Sequence, residues 1–452
     1  MFRDRRRRGL VVEKKLFLAA FFRFEFYKFK ERLYNLGVAT ADGFWAFQTA
    51  DEWRAWLGGG KVLPLFQPIF SVEDQAVYGW ESLGRLDLSG ALASLGPFFK
   101  TGDDEALVQL KKDVGGELAR QVARSSAQFS GARLFFNATP SLLAASFDAH
   151  ELPYPLQTLV AEGLDPGRVV IEVCEEPFYQ NFTELKRVLE VLRSQGCSIA
   201  LDDVGAGKEQ LDRMAFLRPD VIKVNLTLFQ RSFRDRNFRP ALRTLSRLAE
   251  SLGSVLLVEG IETAEELQQA MQLGARYVQG FFFSVPVREP LVDSRVGLVL
   301  RQALENFSFI RNRRVQRQVA WENEMLLRLV DIGFSIFEVD GVVQLSEEDL
   351  VGLSDFVSRL YFTDIQGFQV SPDYVLHENG AIQDRKDLGK NLSLRPFFFD
   401  HIYKLHGRPG GWSLSDVYID TDTHRCLRTF SRHITSKTIL FLDVLWSDFA
   451  DL

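Results

Sequence analysis

The chain has 452 residues, 46% hydrophobic and 25% charged, with a net charge of −6. That length suits two or three domains, and the balance is that of a folded globular protein. It lacks the basic field of a nucleic-acid binder, so neither DNA nor RNA is expected as a partner. Three scattered cysteines, Cys174, Cys197 and Cys426, have neither metal spacing nor a disulfide framework, which points to a reducing cytoplasm. No apolar run reaches the roughly 18 residues of a transmembrane helix.

Residues 1–55 read as a basic, aromatic-rich N-terminal extension. The first 35 residues carry eleven Lys/Arg and four Asp/Glu, and that +7 leaves −13 for the rest of the chain. Arg23 breaks the run from Leu16 to Phe22, and no small-residue cleavage site comes after it, so no signal peptide is expected. Two readings stay open for the extension. It packs on the protein, or it lies on a membrane as a helix with Phe17, Phe21, Phe24 and Phe29 on one broad face.

A short helix is expected around 52–62, with Gly58-Gly59-Gly60 as a flexible entry to the first strand. Strand-like and helical runs then alternate, with strands near 64–70, 77–83, 133–137, 169–173, 198–202, 220–224, 255–259 and 277–280. Short apolar runs of this kind read as buried parallel strands. Eight of them with helical spacers predict an α/β fold, a (β/α)8 TIM-like barrel over 56–292. Only Ser71–Gln75 separates the first two. That is too short for a parallel crossover, so they form an antiparallel hairpin.

After Pro286 the pattern changes. A helical linker over 293–333 carries Arg311, Arg313, Arg314, Arg317 and Arg328 between apolar positions, and Gly333 ends it. Its apolar stripe is a dimer seam or a face packed on the barrel. Strand signals return over 334–452: Phe334–Glu338, Tyr361–Ile365, Gly411–Asp420, Cys426–Phe430 and Ile439–Val444. His377, His401, His406, His424 and His433 have no ligand spacing and read as surface or core residues.

The barrel strands end in polar residues. Tyr78-Gly79-Trp80-Glu81-Ser82-Leu83-Gly84-Arg85 sets a carboxylate and a guanidinium four residues apart. Arg133–Asn137 ends in an amide and Val169–Glu172 in an acid. Ile199–Asp203 ends in two acids, and Val255–Glu259 in one, with Glu262 just beyond. Polar residues at the C-terminal ends of parallel strands are the usual layout of a TIM-barrel active site. Asp202 and Asp203 would repel each other unless a cation stood between them.

Together with Glu172-Val173-Cys174-Glu175, Lys223, Glu259-Gly260-Ile261-Glu262 and Gln279-Gly280-Phe281, this series resembles the EAL family of bacterial cyclic di-GMP phosphodiesterases and receptors. The resemblance runs in order from about Leu63 to Pro286. It implies a barrel whose first strand is antiparallel, and hydrolysis of cyclic di-GMP to linear pGpG. It implies two Mg²⁺ or Mn²⁺ ions, for which all-oxygen ligands are suited. Glu81, Asn137, Glu172 and Asp202 would hold the first ion. Asp202 would bridge to the second, beside Asp203. Glu259 would be the general base and Lys223 would lie beside the attacking water. Gln67, Leu83, Arg85, Glu262, Gln279 and Pro286 would meet the substrate, and Glu175 would brace the loop after Asp203. A homodimer is implied.

Two departures from the family pattern stand out. After the paired acids the chain reads Val204-Gly205-Ala206-Gly207-Lys208-Glu209-Gln210, where the family has Thr and Tyr-Ser-Ser. Asn225 stands where the family has Asp. A catalytically silent or weak receptor is therefore the alternative to an enzyme. Asp364–Val370, Gly389–Pro396 and Ser415–Asp420 resemble PAS-like sensors of the Cache type. That implies an α+β module over 334–452 with an unidentified small ligand, contacted along Tyr361–Val370 and near Arg395, Tyr418 and Asp420.

Overall fold

A computed structural model describes residues 47 and 49–446, apart from 103, 130, 149–150, 175–181, 205–209, 225–227, 232–237, 331, 351, 378–379 and 406–410. The basic extension before residue 47, Glu175, the loop around Ala206, Asn225 and His406 lie outside the described residues. The chain divides into two units after Ile310. Among the described residues, no helix is long and apolar enough to cross a membrane.

The first unit begins with a helix, Ala50–Leu57, opened by a reciprocal cap between Thr49 and Glu52. Strands β1 (Lys61–Ser71) and β2 (Ala76–Leu88) then form the expected hairpin. A short strand not among those expected, β3 (Ala91–Ser94), folds back on the end of β2. Ser89 and Gly90 both have positive φ, 55° and 97°, as a two-residue hairpin turn requires.

Strands β4 (Arg133–Ala138), β5 (Val169–Val173), β6 (Ser198–Val204), β7 (Val221–Val224), β8 (Val255–Val258) and β9 (Tyr277–Val278) complete the unit. β4 runs parallel to β2, and each later strand runs parallel to its predecessor. β1 pairs antiparallel with both β2 and β9, which closes an eight-stranded barrel with one reversed strand. Closure leaves no edge exposed along the barrel wall. The helices between the strands bury one face against the barrel exterior. Glu105–Arg124 starts on an Asp104 cap and lays Ala119, Val122 and Ala123 into a cluster with Leu134 and Ile171.

The long helix Val296–Val330 has ends in two different cores. Val296 and Leu300 join the barrel cluster, with Ala303, Leu304 and Phe307 against it. Met325 and Leu329 are buried in the cluster of the second unit, with Trp321 beside them.

The second unit is α+β. A two-stranded ribbon joins β10 (Ile336–Val339) to β11 (Val342–Leu345). The remaining strands are β12 (Val357–Asp364), β13 (Asp373–His377), β14 (Gly380–Asp384), β15 (Ser413–Leu414), β16 (Tyr418–Ile419), β17 (Cys426–His433) and β18 (Thr438–Leu445). They form a seven-stranded antiparallel sheet in the order β14-β13-β12-β18-β17-β15, with β16 on β17. Helix Pro396–Leu405 buries Phe397 and Phe398 with Phe441.

The single strand expected over Gly411–Asp420 is two pieces. Leu414 faces Phe430 but Tyr418 faces Leu427, so one extra residue sits between them, as in a bulge. Ser415 holds that break. Its Oγ accepts from Thr429 N at 2.9 Å, and its own N donates to Thr429 O at 3.0 Å. His401 is a core histidine, hydrogen-bonded to the Ser431 hydroxyl.

Candidate active site

Side chains alternate between the two faces of a strand, and that arithmetic builds the site. An inner apolar layer of the barrel is made by Ile69, Phe135, Val170, Ala200, Val221 and Leu257, with Tyr78 and Tyr277 packed against it. Two residues further along five of these strands stand Asn137, Glu172, Asp202, Lys223 and Glu259. Tyr277 is followed in the same way by Gln279. On reversed β1 the equivalent step leads back from Ile69 to Gln67. β2 contributes Glu81, two residues after Gly79. Gly79 has room for nothing larger, since a Cβ there would stand 2.7 Å from the Phe135 ring. Each of the eight strands therefore puts one polar side chain into a single layer on top of an apolar floor.

The layer is organised around Lys223, which is 1% exposed. Its Nζ lies 2.6 Å from Glu172, 2.7 Å from Glu259, 3.4 Å from Asp202 and 3.5 Å from Glu81. Burial works against the lysine charge, but Asp202, Glu172, Glu259 and Glu81 outweigh it and hold its pKa well above the ordinary value. Four carboxylates against one ammonium leave the layer uncompensated. Glu172 is wholly buried, and among the described residues its Oε2 accepts no hydrogen bond. Burial, opposed by Lys223 and reinforced by Glu81 and Asp202, lifts its pKa well above the carboxylate range. Burial likewise pushes Glu259 up, to about 8.

Asp202 and Asp203 adjoin in sequence, so a regular strand would point them to opposite faces. The register with β7 slips between Leu201 and Val204, and Asp203 takes φ 57°, a conformation Asp tolerates better than most residues. As a result Asp202, Asp203 and Glu259 each offer a carboxylate oxygen, all within 4.8 Å of one another. Asp202 belongs both to this group and to the nest around Lys223. An all-oxygen, charge-excess set with an orphaned buried carboxylate oxygen fits a hard divalent cation.

The remaining expected residues surround this layer. Gln279 Nε2 donates to Glu81 Oε2 at 2.7 Å and to Gln67 Oε1 at 3.2 Å, while Gln67 Nε2 donates to Ser284 O at 3.1 Å. These donations orient Glu81 and tie Gln67 to the backbone, while Gln279 Oε1 is buried without a hydrogen-bond partner among the described residues. Leu83 and Arg85 come after Glu81 on the same face of β2. Arg85 is half-buried and donates to Gly84 O at 3.0 Å. Pro286 precedes Val287, which exchanges backbone hydrogen bonds with Phe66. The Glu262 side chain is exposed, outside the oxygen cluster, and its N–H donates to Glu266 at 2.6 Å.

Three further residues support the site without being among those expected. Arg213, 3% exposed, donates to Cys174 O at 2.9 Å and ties down the end of β5. Lys100 approaches Asp203 at 3.8 Å. Cys174 donates from Sγ to Asn137 Oδ1 at 3.3 Å. Burial, then Asp202 and Glu172, push its thiol pKa well up, so it is a donor and not a nucleophile. None has a signal in the sequence, because each works through a contact distant along the chain.

The raised pKa of Glu259 sets a pH dependence. The folded protein holds this proton more tightly than the unfolded chain, so stability falls as pH rises from the ordinary carboxylate range through about 8. In EDTA the barrel is expected to melt at lower temperature at pH 8 than at pH 5. Divalent cation, which needs the deprotonated carboxylates, should raise the melting temperature more at pH 8. A melting series at both pH values, with and without Mn²⁺, checks both signs.

The EAL domain profile matches residues 50–286, and the EAL-domain associated signalling protein domain matches 299–450. The uncharacterized EAL-domain containing protein YkuI of Bacillus subtilis is 31% identical over 395 residues, 85% of this chain and 95% of its own. The crystal structure of that protein, in complex with substrate cyclic di-GMP and calcium, matches with a TM-score of 0.71 at 26% identity, over 89% of this chain and 100% of that one. The cyclic di-GMP phosphodiesterase RocR of Pseudomonas aeruginosa is 31% identical over 157 residues, 34% of this chain and 39% of its own. The C-terminal residues match the signalling domain, and their Cache-type resemblance remains an expectation. With reversed β1, the polar layer at the strand ends and a matching profile over half its length, the chain belongs to the EAL domain family and carries the EAL-associated signalling domain after its barrel.

Proposed function

We propose that the barrel binds cyclic di-GMP and, with Mg²⁺ or Mn²⁺, hydrolyses it to linear pGpG. The observation that carries this is the uncompensated polar layer, with the oxygens of Asp202, Asp203 and Glu259 gathered within 4.8 Å. YkuI, crystallised with the dinucleotide and calcium, supports it. Glu81, Asn137, Glu172, Asp202 and Asp203 would hold the metal. Bound there, it would supply an acidified water and shielding for the phosphorane. Glu259 takes the proton of the attacking water, from the more open side of the layer. Lys223 balances the carboxylates and steadies that water. The P–O3′ bond breaks, and the leaving oxygen takes a proton to give the linear product. Arg85 suits a forked contact to phosphate or a guanine edge, with Leu83 and Pro286 beside it. On this reading the protein works in the cytoplasm, as a homodimer.

The module beyond 334 is proposed as a PAS-like sensor acting through the helix Val296–Val330, whose ends lie in two cores. The altered loop around Ala206 and Asn225 favours a second reading, a receptor that binds without turnover. Purified protein incubated with cyclic di-GMP and Mg²⁺ or Mn²⁺ is expected to release pGpG, and EDTA to stop it. Binding with no linear product under either metal selects the receptor.

A further inference from the structure

A cation at the edge of the polar layer has no part in the proposed reaction. Lys100 ends the short helix Gly96–Lys100, which comes directly after β3. Its Nζ lies 3.8 Å from Asp203 Oδ2, and among the described residues it makes no other ion pair. The lysine side chain is 60% exposed and that of Asp203 29%. A pair this open adds little stability, because water screens it and a long side chain must be held in one place. It is therefore easily exchanged for another partner.

The backbone that carries Lys100 is fixed. Leu95 N donates to Gly84 O at 3.1 Å, which ties the start of the helix to the residue before Arg85 on β2. Phe98 is buried, with its ring 5.2 Å from that of Trp53. Thr101 Oγ1 donates to Pro97 O at 2.8 Å, and Lys111, 1% exposed, donates to Gly102 O at 2.6 Å. A rigid base thus presents a long, solvated ammonium arm from the β2 side of the barrel to Asp203 on β6. Asp203 is also one of the three acids whose oxygens gather within 4.8 Å. A divalent cation held by that group and the Lys100 ammonium are like charges drawn to the same carboxylate. Each weakens the hold of the other. The arm that is released needs a new anion, and cyclic di-GMP brings two phosphodiesters to this end of the barrel.

We propose that Lys100 is a switching arm, which sits on Asp203 in the metal-free protein and moves to a phosphate of the bound dinucleotide once a divalent cation takes Asp203. The inference rests on the reading of the barrel as a cyclic di-GMP site, and names the residue that couples its two ligands. Such a coupling is reciprocal. Metal should strengthen dinucleotide binding through Lys100, and dinucleotide should strengthen metal binding.

The test is calorimetric titration of the full chain and of Lys100→Met. Three affinities are measured: Ca²⁺ alone, cyclic di-GMP in saturating Ca²⁺, and cyclic di-GMP in EDTA up to millimolar ligand. Calcium is the ion of the YkuI complex. In Lys100→Met, Ca²⁺ alone is expected to bind severalfold more tightly, because its competitor for Asp203 is gone. Cyclic di-GMP in Ca²⁺ should bind about tenfold more weakly, the loss of one charge-assisted contact. In EDTA, where the arm stays on Asp203, the dinucleotide affinity should change by less than about twofold. Lys100→Arg, which keeps the charge, should restore the wild-type pattern. The proposal is overturned if the variant binds the dinucleotide in Ca²⁺ as the wild type does, or if the loss is as large in EDTA. It is equally overturned if Ca²⁺ alone binds the variant no more tightly. A wild type that binds no dinucleotide defeats the reading of the barrel and this proposal with it. A wild type that binds, beside a variant that binds equally well, defeats the proposal alone.

Discussion

Glu259→Gln is expected to lower turnover of cyclic di-GMP by about 10²–10⁴, the usual contribution of a positioned general base, while the dissociation constant stays within about threefold. The amide keeps the shape of the side chain and its reach to Lys223, which the carboxylate meets at 2.7 Å. What it loses is the ability to take a proton. Glu259 is the residue for this, because it is 22% exposed at the top of a layer whose deepest acid, Glu172, is 0% exposed. A base must reach water, and Glu172 does not. An effect on turnover with little effect on binding marks an interaction made in the transition state. Single-turnover formation of pGpG and calorimetric titration of the dinucleotide separate the two. Wild-type turnover in the variant would remove Glu259 from the mechanism.

The barrel is legible in the sequence because its strands announce themselves twice. Val169-Val170-Ile171 and Val255-Leu256-Leu257 are apolar on both faces, since a parallel barrel strand has helices outside and side chains inside. Each then ends in an acid, a break in an apolar run that marks the functional end of a barrel strand. The reversed first strand is implied by the shortness of Ser71–Gln75. The interior of the site is less legible. That Gln67 and Gln279 brace Glu81 depends on contacts across 212 and 198 residues, and no local pattern encodes them.

The second unit shows the same limit from another side. Gly380–Asp384 is short and mostly exposed, and its one large apolar residue, Ile382, faces solvent, so as an edge strand it lacks the periodic apolar signal. Ser415 reads as one more alternating residue in a strand, yet its hydroxyl replaces a backbone acceptor and breaks the ladder.

Lys223→Met should have the largest effect on stability, and the effect should depend on pH. The ammonium is the single positive charge in the layer, 2.6 Å from a carboxylate with no exposure. Removing one partner of a buried pair costs about 3–5 kcal/mol, because the other charge stays buried alone. Glu172 escapes that cost by protonating, and burial already lifts its pKa well above the ordinary range. In EDTA the loss is therefore expected to be larger at pH 8 than at pH 5, because acid favours the protonated Glu172 that burial already favours. Turnover should fall with it, since the water beside Glu259 loses the cation that steadies it. Divalent metal should recover more stability in the variant than in the wild type, as it replaces the missing charge. Urea melts of both proteins at pH 5 and pH 8, with EDTA or Mn²⁺, measure all of this. Equal stability of the two proteins at pH 8 in EDTA would show that the lysine is not the counter-ion of the layer.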